Sequence, residues 1–343
     1  MKPSQLSQFL SRAIEARLPI LIVGAPGVGK SDLVGQAAEA AGADLIISHP
    51  AVSDPTDTKG LPWPDGSGGA TFLPFGELAR ALRAERPTVW FLDDLGQAPP
   101  AVQAGFMQLL LARRVNGHVL PDVVTFIAAT NRRTDRAGVS GILEPVKSRF
   151  AAIVELEPDL DDWCSWAFAH DIPDILVAFL RFRPELLCAF DPTMDLRNSP
   201  VPRTWAHVAK ILALGLPSDI ERQAIAGAVG EGAAVEFAAF RTVVESLPSI
   251  DGILIDPDAG EIPSKPAALY AVATGLGARA SVTAFGRIAR YAARLEAAGL
   301  GEFATLLLRD CVRREPKLLN TGDFLRLAAG PLGQLINGKG GAQ

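Results

Sequence analysis

The sequence predicts an α/β domain with a parallel sheet, followed by an all-α region. Short apolar runs alternate with helical patterns up to residue 157, which is typical of parallel sheets. One run ends in a glycine-rich loop that opens a helix, and two others end in polar side chains. From residue 159 onward, apolar residues recur at helical spacing without alternation at period two.

The first apolar run, residues 20–23, leads directly into the sequence GAPGVGKS. This G-x-x-x-x-G-K-S pattern between a strand and a helix is typical of loops that hold phosphate on backbone N–H groups and a helix N-terminus. The predicted phosphate-binding residues are Gly24, Ala25, Pro26, Gly27, Val28, Gly29, Lys30 and Ser31. We expect Lys30 to reach the β- and γ-phosphates and Ser31 to ligate Mg²⁺. A glycine-rich turn before a helix is the alternative.

Around this loop, helices are predicted over residues 3–17 and from Lys30 to near Gly42, with a second strand at 44–48. Residues 51–82 are rich in Pro, Gly and Asp and contain a short helix beginning near Gly76, so we expect a long functional loop. Its aromatic residues are interpreted as buried anchors, with substrate-facing aromatics as the alternative. They are Trp63, Phe72 and Phe75.

The apolar strand at residues 88–92 ends in two carboxylates, Asp93 and Asp94. Side chains at the carboxyl end of a buried parallel strand face the crevice where such sheets bind ligands. Asp93 is therefore expected to hold Mg²⁺ opposite Ser31, and Asp94 to position water as a base. A pair of helix-capping aspartates is the alternative.

The remaining elements of the α/β region follow in order. A helix is predicted over residues 99–112, a hairpin around Asn116-Gly117 and a strand over 123–128. Asn131 follows that strand, and its amide can bind the attacking water or the γ-phosphate. A helix over 145–149 ends in Arg149, and a strand at 152–156 closes the region.

Beyond residue 158 the predicted helices span 160–169, 173–182, 203–214, 218–246, 266–276, 280–298, 301–314 and 321–328, with a loop at 248–265. The net charge of −5, from 33 basic and 38 acidic residues, argues against a protein whose main role is to grip nucleic acid. Three scattered cysteines are expected to be buried free thiols. No secretion signal or membrane-spanning run is predicted, and the reducing cytoplasm is the expected location.

The ordered motifs resemble an AAA+ ATPase. They are the phosphate loop, Asp93-Asp94, Asn131, the tripeptide SRF at 148–150 and Arg203 in the sequence SPVPRTW. More narrowly, PTDTKG at 55–60 and the extension at 109–121 resemble the MoxR group, which includes the NorQ/CbbQ-type activators. The resemblance covers residues 18–215.

The resemblance implies a three-layer αβα nucleotide-binding domain (1–157), a helical lid (158–215) and a helical region (216–343) that extends the lid or docks a partner. It implies that Asn131 senses the γ-phosphate and that Arg149 is an arginine finger for the neighbouring subunit. It also implies that Arg203 is a lid arginine. A helix-end surface arginine is the alternative for Arg149, and a first-turn arginine paired with a carboxylate is the alternative for Arg203. Arg132 and Arg133 are candidates for further contacts in trans.

The implied function is that of a homo-oligomeric, hexameric ring that hydrolyses ATP with Mg²⁺. Such a ring would remodel or activate a protein client together with a von Willebrand factor A-domain partner. Asp94 stands where the family has Glu, and a carboxylate withdrawn by about 1.5 Å leaves open a slow or non-hydrolysing, nucleotide-gated scaffold. Gln97 stands where the family commonly has Arg. A nucleic-acid motor or loader is a further alternative, which the net charge disfavours.

Overall fold

The computed structural model describes residues 1–135, 141–193, 195–245, 247 and 249–330. The chain forms two compact units. Unit 1 comprises Met1–Asp162, Phe190–Leu196 and Val201–Arg203, and unit 2 comprises Trp163–Ala189, Arg197–Pro200 and Thr204–Gln343. The predicted division at residue 216 falls inside unit 2 and stays a prediction, and its part beyond residue 330 lies outside the described residues.

Unit 1 is built on a sheet of five parallel strands. The strands of the described chain are β1 (Ile20–Val23), β2 (Asp44–Ser48), β3 (Leu61–Pro64), β4 (Ala70–Leu73), β5 (Thr88–Leu92), β6 (Arg114–Val115), β7 (His118–Val119), β8 (Val124–Thr130) and β9 (Ala152–Glu155). The sheet has the order β2-β5-β8-β1-β9, and each adjacent pair is parallel. The predicted parallel sheet is confirmed, and the strand order brings the carboxyl ends of β5, β8 and β1 side by side.

Helices cover both faces of this sheet. In unit 1 they are α1 (Pro3–Glu15), α2 (Lys30–Ala40), α3 (Pro55–Lys59), α4 (Gly76–Leu82), α5 (Pro100–Leu111) and α6 (Glu144–Lys147). Side chains alternate along each strand, so Phe91 packs with α1 and α2 on one face, whereas Trp90 and Leu92 pack with α4 and α5 on the other. These two apolar layers confirm the predicted three-layer αβα arrangement.

The segment predicted as a long loop contains a hairpin, β3–β4. The prediction that Trp63 is a buried anchor is wrong, because its exposed fraction is 59%. All four residues of β3 are exposed, since this two-stranded ribbon pairs with no further strand in the described residues and no layer covers it. Phe72 and Phe75 are half-buried.

The predicted hairpin at Asn116-Gly117 is confirmed as β6–β7. It packs on unit 1 through the buried Val115. Side chains also attach it to the segment that carries β3–β4, because Asn116 Nδ2 donates to the carbonyl of Lys59 (2.9 Å) and His118 Nε2 lies 2.8 Å from the carbonyl of Phe72. Phe72 therefore has a backbone contact to the second hairpin.

Unit 2 is helical. Its elements are α7 (Leu160–Ala169, which begins in unit 1), α8 (Asp174–Phe182), α9 (Pro202–Leu212, which also begins in unit 1), α10 (Ser218–Val229), α11 (Glu231–Glu245), α12 (Ile250–Ile255), α13 (Pro266–Ala278), α14 (Phe285–Ala297), α15 (Gly301–Arg314) and α16 (Gly322–Ala329). The single helix predicted over 218–246 is wrong, because Gly230 takes a φ of 82° that ends α10. The predicted loop at 248–265 contains α12. No helix of the described residues has both the length and the apolar character to cross a bilayer.

A buried ion pair joins two helices in unit 2. Arg181 on α8 donates two hydrogen bonds to the carboxylate of Asp310 on α15, one of them from Nη2 to Oδ1 at 2.7 Å, and a third to Thr274 Oγ1 at 3.2 Å. Gly277 lets α13 pass close to this pair, since a Cβ there would lie 2.9 Å from Asp310 Cβ. None of the three cysteines forms a disulfide in the described residues, as predicted. Cys164 and Cys311 are buried as expected, whereas Cys188 is half-buried, so the prediction of burial is wrong for it.

Candidate active site

Polar side chains from three neighbouring strands of unit 1 meet in one cavity. The strands β1, β5 and β8 end in the glycine-rich loop, the aspartate pair and Asn131, respectively. The cavity has a volume of about 250 Å³, and its lining consists of Pro26, Gly27, Gly29, Lys30, Ser31, Asp93, Asp94, Gln97, Asn131 and Arg203. The cavity thus brings together residues of the glycine-rich loop, the aspartate pair, Asn131 and Arg203, whereas the predicted site residue Arg149 does not line it.

The glycine-rich loop is held close to the start of α9. The N–H of Arg203 donates to the carbonyl of Gly27 at 3.1 Å, and a Cβ on Gly27 would lie only 2.7 Å from Cγ2 of Val201. Gly27 also has a φ of 74°, so a larger residue would be strained as well as crowded. Arg203 is thereby placed beside the loop, in the same cavity.

Lys30 crosses the inside of the loop and is 7% exposed. Its Nζ donates to the carbonyls of Gly24 and Ala25 (2.9 Å each) and to Asn131 Oδ1 (2.8 Å). Burial lowers the pKa of Lys30 to about 8, although Asp94 and Asp93 favour its charged form. All three hydrogen-bond partners are neutral, so phosphate oxygens entering the loop would supply the negative charge that this ammonium group lacks.

Two oxygens at the edge of the loop fit a magnesium ion. Ser31 Oγ donates to Asp93 Oδ2 at 2.8 Å, so a hydroxyl and a carboxylate converge on one point. In the described residues, no three His, Cys, Asp or Glu side chains gather in a metal-binding group. Such a sparse donor set suits Mg²⁺, which is usually bound by one or two protein oxygens together with substrate phosphates and water.

Asp94 has a strained backbone, and the pKa of its carboxyl group is raised. Its φ of 53° lies in the left-handed region, which costs roughly 1–2 kcal/mol for a residue other than glycine. Burial raises the pKa of its carboxyl group, and the adjacent Asp93 raises it further. Asn131 Nδ2 lies 3.3 Å from Asp94 Oδ1, so the amide of Asn131 bridges Lys30 and Asp94. Backbone strain of this kind is found preferentially at functional sites.

Arg149 lies outside this cavity. It lines a second cavity of unit 1, of about 620 Å³, together with Lys59, Phe72 and the exposed side of α5. Its Nε donates to the carbonyl of Met107 at 2.9 Å, and its Nη1 donates to the carbonyl of Pro145. Within its own chain, therefore, Arg149 does not contact the glycine-rich loop.

Arg132 also has partners in its own chain. Its guanidinium group contacts Asp135 Oδ2 at 3.2 Å and Glu155 Oε1 at 3.3 Å. Asp135, which is 6% exposed, also accepts a hydrogen bond from the N–H of Arg132 and so fixes the turn after Asn131. Asp135 could not be identified from the sequence, because an aspartate after three polar residues has no distinctive local pattern.

Gln103 on α5, which is 1% exposed, was not predicted from the sequence either. Its Nε2 donates to the carbonyls of Ala98 (3.0 Å) and Gly141 (2.9 Å), and its Oε1 accepts from the N–H of Leu143 (2.9 Å). It thus connects the turn after the aspartates to the segment that leads to Arg149. The available signal was an isolated glutamine between apolar positions of a predicted helix, a pattern that Gln108 shares.

Residues 19–150 match the AAA domain of the dynein-related subfamily. Midasin of Giardia intestinalis is 28% identical over 182 residues, which are 50% of this chain and 4% of that protein, so this chain spans only a small part of the relative's length.

Similar solved structures include two bacterial proteins. One is the Holliday junction branch migration motor RuvB of Thermotoga maritima, with 19% identity, a TM-score of 0.41 and coverage of 80% of this chain and 81% of that chain. The other is NtrX of Brucella abortus in complex with ATP, with 17% identity, a TM-score of 0.40 and coverage of 88% and 67%.

Proposed function

We propose that this chain is an AAA+ ATPase that binds ATP with Mg²⁺ and hydrolyses it as one subunit of a ring, a proposal supported by the match of residues 19–150 to an AAA domain. The observation that carries the proposal is the single cavity in which Lys30, Ser31, Asp93, Asp94 and Asn131 converge. Their side chains are the types that phosphoryl transfer requires, since that reaction depends on charge and positioning more than on covalent chemistry.

Each residue has a role that agrees with its contacts. Lys30 pairs with the β- and γ-phosphates in place of the neutral oxygens it contacts now, and Asn131, which already touches Lys30, contacts the γ-phosphate. Ser31 and Asp93 would hold Mg²⁺, which neutralises phosphate charge when bound. Asp94 accepts a proton from the attacking water, and Arg203 contacts the γ-phosphate from its position beside Gly27.

Arg149 acts on the nucleotide of a neighbouring copy in this proposal. It is separated from the cavity of its own chain and is only half-buried, so its guanidinium group is accessible to a second copy. A complete site then exists only between subunits, which couples ATP binding to assembly. We propose a hexameric ring of the MoxR type that remodels or activates a protein client with a von Willebrand factor A-domain partner.

The test is ATP turnover per subunit measured across protein concentrations. Turnover should rise with concentration as copies assemble, and Arg149→Ala should lower it about 10³-fold or more, while ATP affinity stays near that of the wild type. Arg80→Ala is the matched control, because Arg80 is an exposed arginine of unit 1. A monomeric protein with a concentration-independent rate would contradict the assignment of Arg149.

A nucleotide-gated scaffold is the second candidate, and the geometry of Asp94 is the observation that favours it. Its carboxylate is one methylene shorter than that of glutamate and already contacts Asn131. If this short side chain limits hydrolysis, Asp94→Glu should raise turnover more than tenfold. A working ATPase should instead show no gain or a loss in turnover.

A further inference from the structure

Gln97 lies in the candidate active site. It ends the 3-10 turn Leu95–Gln97, and its N–H donates to the carbonyl of Asp94 at 2.9 Å. Leu95 and Ala98 on either side are fully buried in the apolar core of unit 1. Gln97, in contrast, is partly exposed and lines the cavity that contains Asp94 and Asn131.

The turn that carries Gln97 is fixed from the side of the core. Gln103 Nε2 donates to the carbonyl of Ala98 at 3.0 Å, and the N–H of Gly141 donates to the carbonyl of Gly96 at 3.3 Å. Since Gln103 is itself buried and bonded at both ends of its amide, this support is rigid. The Gln97 backbone is therefore held in place beside Asp94.

The carboxamide of Gln97 is available for a ligand. It makes no hydrogen bond to any residue that the structure describes, whereas the Asn131 amide is occupied on both sides by Lys30 and Asp94. A free carboxamide has one acceptor oxygen and an NH₂ group with two donors. Its oxygen can therefore accept a hydrogen bond from a water molecule.

We propose that Gln97 orients the attacking water together with Asp94, an inference that rests on the proposed ATPase function. The Oε1 of Gln97 accepts one hydrogen of the water, and the carboxylate of Asp94 accepts the other. The water oxygen then bonds to the γ-phosphorus while the bond from that phosphorus to the bridging oxygen breaks, and ADP leaves with the electron pair. The proton taken up by Asp94 passes to the released phosphate.

This arrangement explains how Asp94, whose side chain is one methylene shorter than that of glutamate, can act on the water. Asp94 reaches about 1.5 Å less far than glutamate would, and one of its oxygens lies near Asn131. Gln97, on the same turn, holds the second hydrogen of the water, so the water does not depend on the short carboxylate alone for its orientation. Glutamine carboxamides orient the attacking water in other nucleotide hydrolases.

The test compares Gln97→Ala with the matched control Gln36→Ala, which truncates an exposed glutamine on α2. We expect Gln97→Ala to lower the maximal ATP turnover of the assembled protein about 10²-fold. Its affinity for a fluorescent ATP analogue and its assembly should change less than twofold, and Gln36→Ala should match the wild type. In an Asp94→Glu background, Gln97→Ala should cost less than tenfold, because the longer carboxylate reaches the water alone.

The possible failures are distinguishable. Wild-type turnover in Gln97→Ala, or a loss of analogue affinity equal to the loss of turnover, would overturn the role of Gln97 and leave the ATPase proposal intact. The same holds if the loss in the Asp94→Glu background equals the loss in the wild-type background. A wild-type protein with no more turnover than Lys30→Ala would overturn both.

Discussion

Each unit of this protein buries a cation, but the two cations are neutralised differently. Lys30 in unit 1 is 7% exposed and donates only to neutral oxygens. Arg181 in unit 2 is 5% exposed and makes a bidentate pair with a fully buried carboxylate, Asp310. Its guanidinium carbon also lies 5.6 Å from the ring centroid of Phe168, on whose face it rests.

The electrostatic consequences are opposite. Burial lowers the pKa of Lys30 to about 8, whereas the hydrogen bonds and charge of Asp310 raise the pKa of Arg181 in spite of its burial. A buried charge without a counterion costs free energy, and a ligand of opposite charge recovers that cost. The contrast therefore separates a cation that serves binding from a cation that serves the fold.

The largest expected effect is on the paired cation. Asp310→Ala leaves the Arg181 guanidinium buried without its carboxylate, so the free energy of unfolding of unit 2 should fall by about 3–5 kcal/mol. Urea unfolding followed by circular dichroism measures this change. The control is the double variant Arg181→Met with Asp310→Leu, which removes both charges and should lie within about 1–2 kcal/mol of the wild type. A double variant as unstable as Asp310→Ala would show that the pair itself carries the stability.

Removal of the unpaired cation should change the free energy of unfolding much less. The charged form of Lys30 costs about 3 kcal/mol, because its pKa is about 2.5 units below the ordinary value of 10.5. Lys30→Met avoids that cost but loses three hydrogen bonds of about 1 kcal/mol each, so at pH 7 the unfolding free energy of the nucleotide-free protein should stay within about 1 kcal/mol of the wild type. ATP should stabilise the wild type and not the variant, as thermal unfolding with and without ATP would reveal.

The exposed Lys59 provides the matched control for that experiment. Lys59→Met should leave both the unfolding free energy and the stabilisation by ATP unchanged, because its ammonium group is already in solvent. A loss of several kcal/mol in Lys30→Met would contradict the comparison, since Lys30 would then be as structural as Arg181.

The two cations also differ in how far the sequence could predict them. Lys30, Asp93 and Asn131 could be placed together because each follows an apolar strand, and the carboxyl ends of parallel strands meet at one edge of the sheet. Arg181 and Asp310 are 129 residues apart on two amphipathic helices. A charged residue in such a helix is normally solvated, so no local pattern marked this pair as buried.

Short irregular elements were also beyond what the sequence could predict. The β3–β4 hairpin could not be predicted, because the segment between residues 61 and 73 is rich in proline and glycine, which do not favour strands. Its two strands form only by pairing with each other. The break at Gly230 was missed because the apolar spacing continues through α10 and α11. Gln103 donates to the carbonyl of Gly141, which is 38 positions further along the chain, so this contact could not be derived from residue spacing.

The smallest effect is a pH dependence that tests the charge of Lys30 directly. Above pH 8 the buried Lys30 is mostly neutral, while phosphate oxygens favour its charged form and raise its pKa in the complex. ATP binding at pH 9 should therefore take up most of one proton, and binding at pH 6.5 almost none. Calorimetric titrations in buffers with different ionisation enthalpies measure this uptake.

The same pKa fixes the sign of the stability change. Between pH 8 and 10.5 the unfolded chain keeps the proton on Lys30 and the folded chain has lost it, so the free energy of unfolding contributed by this group rises with pH. ATP affinity and the contribution of Lys30 to the stability of the nucleotide-free protein should therefore change in opposite directions over this range. Relative to Lys30→Met, both the wild type and Asp310→Ala should show this rise, because both keep Lys30, which loses its proton at a lower pH in the folded chain than in the unfolded chain. If wild type and Lys30→Met have parallel pH profiles, then Lys30 is not held as an unpaired charge, and the distinction between the two cations fails.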